Sequence, residues 1–206
     1  MNSRLAEYHK KYSERVCLYK KYGYDIEKEK ETVLNQALPV SGKILEIGTG
    51  KGYFSLCLAR HGFKFTTVDQ SETEQEFAKA HLRFFNLEKT VIFKKADAGH
   101  LDFKNKSFDV IFLINVFHHL EKPLSILDEI VRLLKPGGKT VLSDFNQKGF
   151  KIINDIHESE GRKHECLQDR IEEAGDYLIY RGFDVRESQS DFQKIVTAVK
   201  IRKNRS

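Results

Sequence analysis

From Lys43 onward, short runs of β-branched and aromatic residues alternate with stretches whose apolar residues recur every three or four positions. The first kind predicts strands at "KILEIG", "FKFTTVD", "TVIFKKAD" and "FDVIFLINV". The last of these has almost no polar interruption, which fits a strand covered on both faces. The second kind predicts helices over Gly52 to Arg60 and over Ser71 to Phe85. A further helix carries Leu124, Leu127, Ile130, Val131 and Leu134, and stops at "KPGGK". There Pro-Gly suits the centre of a type II turn, whose second central residue needs a positive φ. "TVLSDF" reads as a fifth strand, Leu167, Ile171, Ala174 and Leu178 as a last helix, and "FDVRES" and "KIVTAVKI" as two closing strands. Such alternation requires crossover connections, so the expected fold is α/β with a mostly parallel, doubly wound sheet and helices on both faces.

Two segments stand outside the repeat. Leu5, Tyr8, Tyr12, Val16 and Tyr19 form a helical stripe, and a second short helix is expected from Ile26 to Leu38, together an N-terminal helical extension. For the tyrosines of the stripe, packing on the core is the expected role. Asn146 to Glu165 is polar and hard to classify. With no repeat or linker to split it, the chain is expected to be one domain: a helical cap (1–40), a core (41–146), and a segment (147–206) holding a lid, the last helix and the closing strands.

Chemistry enters at "ILEIGTGKGYF", where an apolar run stops in three alternate glycines, Gly48, Gly50 and Gly52. The loop follows the first strand, at the sheet edge where open α/β folds bind ligands. It is not a triphosphate loop, because Lys51 comes too early and Tyr53 follows Gly52. Nor is it the dinucleotide G-x-G-x-x-G, since a tyrosine occupies position 53 and the third glycine, which lets helix and strand pack closely, is missing. Glu46 lies inside the first strand, where a carboxylate is costly without a partner or a polar ligand. Asp69 ends the second strand, at the distance where an acidic residue takes a ribose diol in adenosine sites. Asp97 and Ala98 are placed at the end of the third strand and Asn115 at the end of the fourth.

In order and at familiar separations, "ILEIGTGKGYFS", "VDQS", "KKADAGHLDF", "FDVIFLINVFHHL" and "LLKPGGKTVLSDF" resemble the class I S-adenosylmethionine-dependent methyltransferases, closely over residues 40–146 and elsewhere only in topology. The small-molecule, quinone-biosynthesis branch is the most similar. The resemblance implies a Rossmann-like sheet of seven strands, the last antiparallel and inserted beside the fifth. It also implies S-adenosyl-L-methionine as cofactor. Gly48, Thr49 and Gly50 would admit the amino-acid part, which Glu46 would support. Asp69 would accept the ribose hydroxyls, Gln70 would border the adenine, Asp97 and the Ala98 amide would contact the ring, and Asn115 would line the methionine side. Read without the resemblance, the glycines could make only a tight turn and Asp69 could cap the following helix.

A sulfonium methyl is already activated, so most of the rate can come from holding a nucleophile about 3 to 3.5 Å from it and in line. A base is needed only for a protonated acceptor. His118 and His119, just past the fourth strand, are the candidates, with packing or substrate lining as the competing role. The acceptor is narrowed by what is missing. Asn115-Val116-Phe117-His118 is not the Asn/Asp-Pro-Pro-Tyr/Phe of amino-methylating enzymes, and no cysteine lies where cytosine-C5 enzymes need one. Metal-dependent catechol-type enzymes require a carboxylate where Asn115 stands, and Asp144 and Asn146 match only half of that set. His157, Glu158, Glu160, His164 and Cys166 fit no common zinc spacing, so no metal is expected.

The bulk numbers change little. There are 35 basic against 30 acidic residues, a net charge of +5 that is too slight and too evenly spread to argue for nucleic acid. Cys17, Cys57 and Cys166 have no paired spacing, and Cys57 reads as a buried inert thiol. "MNSRLAEYHKKYSERV" is charged throughout, unlike a secretory signal, and the apolar run from Val110 to Phe117 is too short to cross a bilayer. The expectation is a cytoplasmic enzyme that methylates a small molecule, with the 147–206 segment closing over it. Two alternatives remain: a methyltransferase directed to RNA or protein by a partner, and a non-catalytic nucleotide-cofactor-binding module.

Overall fold

The computed structural model describes residues 3–162 and 171–202. Its seven strands are β1 (Ile44–Ile47), β2 (Phe65–Asp69), β3 (Val91–Lys95), β4 (Phe108–Ile114), β5 (Leu134–Phe145), β6 (Phe183–Gln189) and β7 (Gln193–Lys200). They form one sheet in the order β3-β2-β1-β4-β5-β7-β6. The first five run parallel, and β7 is antiparallel to both β5 and β6, between which it lies. Seven helices accompany them: α1 (Ser3–Lys21), α2 (Ile26–Ala37), α3 (Tyr53–Arg60), α4 (Glu72–Phe84), α5 (Pro123–Leu133), α6 (Gln147–Ser159) and α7 (Ile171–Tyr180). The fold is the Rossmann-like α/β architecture that the strand–helix alternation implies.

The period of two in the strands sorts the core into two layers. Leu45, Ile47, Ile111 and Leu113 face α5 and α7, packing with Ile130 and Leu178. Ile44, Val110 and Phe112 face the other way, toward Val33 and Leu34 of α2 and Phe54 and Leu58 of α3. Both faces of β1 and β4 are covered, hence their unbroken apolar sequences. A third cluster sits apart and joins α1, α2 and α6 at the carboxyl edge of the strands: Tyr19, Tyr24, Ile26, Phe145, Phe150, Ile153 and Ile156. The tyrosine stripe of α1 is packing, as expected. The Tyr8 ring stands edge-on to Phe77 of α4, and the Tyr12 ring lies 3.9 Å from that of His81.

Several expectations are corrected. Asn146 to Glu165 is helical over α6, with Asn146 as its N-cap accepting from the Gly149 N–H; the apolar positions Phe150, Ile153 and Ile156 were there, diluted by polar neighbours. The "KPGG" segment does not separate helix from strand. Gly137 has the expected positive φ of 82°, but β5 begins at Leu134 and runs through it, with a register break against Phe108 and Val110 of β4. β3 stops at Lys95 and β4 at Ile114, so Asp97, Ala98 and Asn115 belong to the loops beyond the strands. His164, Cys166 and Leu167 lie outside the described residues. Among the described residues no helix is long and apolar enough to cross a membrane.

Candidate active site

The glycine loop connects β1 to α3, and two of its glycines are there for space. A Cβ on Gly48 would stand 2.3 Å from Val116 Cγ2, and one on Gly52 would stand 2.6 Å from Ala78 Cβ on α4. Both have positive φ, 86° and 81°. Gly52 therefore supplies the close packing that position 53 cannot, one residue early and against a helix instead of a strand.

Asp69 locks this loop. Its Oδ2 accepts the Gly50 N–H at 2.8 Å and its Oδ1 accepts the Ser71 N–H at 2.8 Å. It is not the helix cap; Ser71 is, accepting from the Glu74 N–H at 3.2 Å. The carboxylate is thus oriented before any ligand arrives, and half-buried so that lone pairs remain for one. Thr49 is fixed in turn by the Thr67 hydroxyl at 2.6 Å and by the Gln75 amide at 3.2 Å. Asp97 accepts the Gly99 N–H at 2.9 Å through Oδ1.

Glu46 and Asn115 lie deeper. Glu46 faces α3, is 2% exposed and accepts from the Ser55 hydroxyl. Burial pushes its carboxyl up to about 7, against the lowering effect of that hydrogen bond. Asn115 has φ 56°, a left-handed conformation that asparagine tolerates better than most residues. Its Oδ1 accepts from the Lys30 ammonium and from the Gln193 amide, the latter at 3.1 Å.

All nine residues nominated from the sequence (Glu46, Gly48, Thr49, Gly50, Asp69, Gln70, Asp97, Ala98 and Asn115) line one cavity of about 500 Å³. His119 lines it too, and His118 does not. A second cavity of about 240 Å³ adjoins it beneath α1 and α6, and there both histidines contribute, with Tyr19, Tyr24, Tyr53, Phe145, Ile153 and His157. Lys30, Lys51, Tyr53, Glu74, Asn115 and His119 belong to both cavities and so mark the boundary between them. His118 is 3% exposed; its Nδ1 lies 2.5 Å from Asp144 Oδ1, and its backbone N–H donates to Asp144 Oδ2 at 2.8 Å. The pKa of His119 is lowered, first by desolvation and then by His118 beside it.

Lys30 is the residue sequence reasoning missed. The buried positions of α2 are Ile26, Glu29, Lys30, Val33, Leu34 and Ala37. Lys30 therefore falls within the apolar stripe, where a lysine is rare, and that was the available signal. Burial lowers its ammonium to about 8, although Asp144, Glu29 and Glu46 pull the other way. Asp144 was weighed only as half of a metal site, whereas it is the partner of His118. Of the zinc candidates, Glu160 is engaged by Arg15 at 2.7 Å and by Arg162. The group of metal-type donors found together among the described residues is a different one, Glu31, Cys57 and His61. The Cys57 thiol there is pushed up by burial and by Glu31.

Residues 45–142 match the family model described as a methyltransferase domain. The ubiquinone biosynthesis O-methyltransferase of Coxiella burnetii is 32% identical over 119 residues, covering 57% of this chain and 50% of that protein. The demethylmenaquinone methyltransferase of Clavibacter sepedonicus is 35% identical over 116 residues, covering 56% and 46%. The chain thus spans about half the length of these curated relatives. Among solved structures, a SAM-dependent methyltransferase from Aquifex aeolicus superposes with a TM-score of 0.63 at 22% identity, covering 84% of this chain and 89% of that one, a likeness of fold.

Proposed function

We propose that the chain, whose residues 45–142 match a methyltransferase-domain model, is a class I S-adenosylmethionine-dependent methyltransferase that methylates a small-molecule acceptor held in the second cavity. The observation that carries this reading is the convergence of the tips of β1, β2, β3 and β4 on one cavity of about 500 Å³, within the usual range for a small-molecule site.

The donor set suits S-adenosylmethionine. Asp69 would hold the two ribose hydroxyls, its carboxylate already oriented by two backbone donors. Gln70, Asp97 and the Ala98 amide would border the adenine; Glu46, Gly48, Thr49 and Gly50 would receive the amino-acid end. The Asn115 Nδ2 is buried with no hydrogen-bond partner among the described residues, a donor left for a ligand. When bound, the cofactor supplies a methyl group activated on a sulfonium sulfur.

The remaining chemistry falls to the chain. Its second cavity would orient the acceptor against the first, and the rings of Tyr19, Tyr24, Tyr53 and Phe145 in its lining favour a flat body over a polymer. The modest net charge agrees. His119, whose pKa lies low and which is therefore neutral at neutral pH, and His118, steadied by Asp144, are placed to take a proton from a hydroxyl or ring nitrogen. Residues 1–40 act as a cap on the 41–146 core, and 147–206 contribute α6 as a lid that excludes water. The Arg15–Glu160 pair joins the two covers.

Calorimetric titration with S-adenosylmethionine, S-adenosylhomocysteine and NAD is the test. The first two should bind with similar, micromolar affinity. Tighter binding of NAD would remove the methyltransferase reading.

A further inference from the structure

Glu31 on α2, Cys57 on α3 and His61, the residue that ends α3, bring three metal-type donors together where the two helices meet. A carboxylate oxygen, the Cys57 Sγ and a His61 ring nitrogen all lie within 4.8 Å of one another. Cys57 and His61 are one helical turn apart, the spacing that sets two side chains on one face. The hydrogen bonding of His61 sharpens the picture. Its Nδ1 lies 3.0 Å from the Cys57 carbonyl oxygen, and a carbonyl only accepts, so Nδ1 carries the ring proton. Nε2 then presents a lone pair, 3.3 Å from Glu31 Oε2, which is also an acceptor. Two acceptors at that distance repel unless a positive charge lies between them, either a second proton on the ring or a metal ion. An imidazole steadied through its other nitrogen by a backbone carbonyl is the arrangement that metal-ligating histidines adopt.

We infer that Glu31, Cys57 and His61 form a site for a zinc-class divalent ion, which ties α2 of the N-terminal cap to α3. Thiolate, imidazole and carboxylate are the ligands zinc takes, and the soft sulfur disfavours magnesium and calcium. Tetrahedral bonds of about 2.0 to 2.3 Å set donor atoms about 3.3 to 3.8 Å apart, so the imidazole and the carboxylate are spaced for it. Their side chains are 38% and 39% exposed, which gives the ion a way in and leaves room for water as the fourth ligand. The thiol's proton passes to solvent as the sulfur bonds the ion. Lys30 and Arg60 ease that loss, and both are held by other partners, Asn115 and Glu27. None of the three donors lines the cofactor or the acceptor cavity, so the inference is independent of the function proposed above. It departs from the inert thiol expected at Cys57, because Glu31 arrives from a separate helix.

The test is titration of the metal-free full chain with Co2+, a spectroscopic stand-in for zinc, followed by displacement with Zn2+. One equivalent of cobalt should bind and give a thiolate-to-metal charge-transfer absorption, which zinc removes. The absorption should vanish in Cys57→Ser and persist in a Cys17→Ser, Cys166→Ser double variant. His61→Ala should weaken zinc at least 10-fold, about the effect of losing one ligand's contact, and abolish the rise in melting temperature that zinc gives the unaltered chain. Should Cys57→Ser fail to fold, His61→Ala and Glu31→Gln, both at the exposed side of the site, are read in its place. Cobalt binding without the thiolate absorption, or no binding, would overturn the inference and leave a proton between His61 and Glu31. Absorption that survives Cys57→Ser but is lost in the double variant would overturn it equally.

Discussion

The two ends of the cleft are built by different means. In the larger cavity, proposed above for the cofactor, Glu46 to Gln70 supply half of the wall from one strand–loop–helix–strand unit, and each polar group is fixed by a neighbour within about one such unit: Gly50 by Asp69, Thr49 by Thr67, Glu46 by Ser55. In the second cavity, proposed above for the acceptor, the wall is gathered from α1, α2, β5, α6 and the loop after β4, and its contacts are long-range: Lys30 to Asn115, His118 to Asp144, Arg15 to Glu160. The first end is a local motif on a sheet edge. The second exists only when the helices close over that edge, so it is where relatives of one fold can diverge in acceptor.

The largest effect should come from breaking the local motif. Gly48→Ala puts a Cβ 2.3 Å from Val116 Cγ2 at a positive φ, and should cost roughly 3 kcal/mol in denaturant unfolding. Adding Val116→Ala should recover part of that loss; no recovery would place the strain elsewhere.

Glu46→Gln should act in the opposite direction on stability. The folded carboxyl is raised to about 7 from an ordinary value near 4.5, so the folded state holds a proton that the unfolded state has released. Stability from this group is present below the unfolded value and is lost as pH rises to about 7. Replacing it should therefore stabilise the protein by up to roughly 3 kcal/mol at pH 8 and by little at pH 4, seen as a melting-temperature gain that grows with pH. The same variant should bind S-adenosylhomocysteine more weakly, and a gain on both counts would remove Glu46 from the site.

Asp69→Ala should weaken S-adenosylhomocysteine at least 10-fold, about 1.4 kcal/mol. Ile153→Ala, which trims a side chain lining the second cavity, should leave that affinity within about 3-fold. If the two lose equally, the ends are one cooperative unit and the contrast between them fails.

The smallest effect belongs to the cover. Arg15→Ala removes a partly buried ion pair near the surface and should cost about 1 kcal/mol in global stability. It should instead speed amide exchange in α6 relative to the strands, and unchanged exchange would mean that the pair does not latch the lid.

What the chain determines by itself is what repeats locally. The alternation of short apolar runs with helical stripes settled the doubly wound sheet, because both faces of β1 and β4 are buried and their sequences must show it. The alternate glycines, Glu46 and Asp69 marked the larger cavity for the same reason: turn geometry and strand-end placement are fixed by neighbours in sequence. α6 was hidden because polar residues fill most of its length, although Phe150, Ile153 and Ile156 do recur at helical spacing on its buried side. The partnership of Lys30 with Asn115, 85 positions away, and of His118 with Asp144, 26 away, could be decided only by assembly. A charged side chain in an apolar stripe announces that it is unusual, but the partner is a matter of which helix the sheet edge receives. Pairing across that distance depends on packing energy summed over the whole molecule, which no local pattern carries.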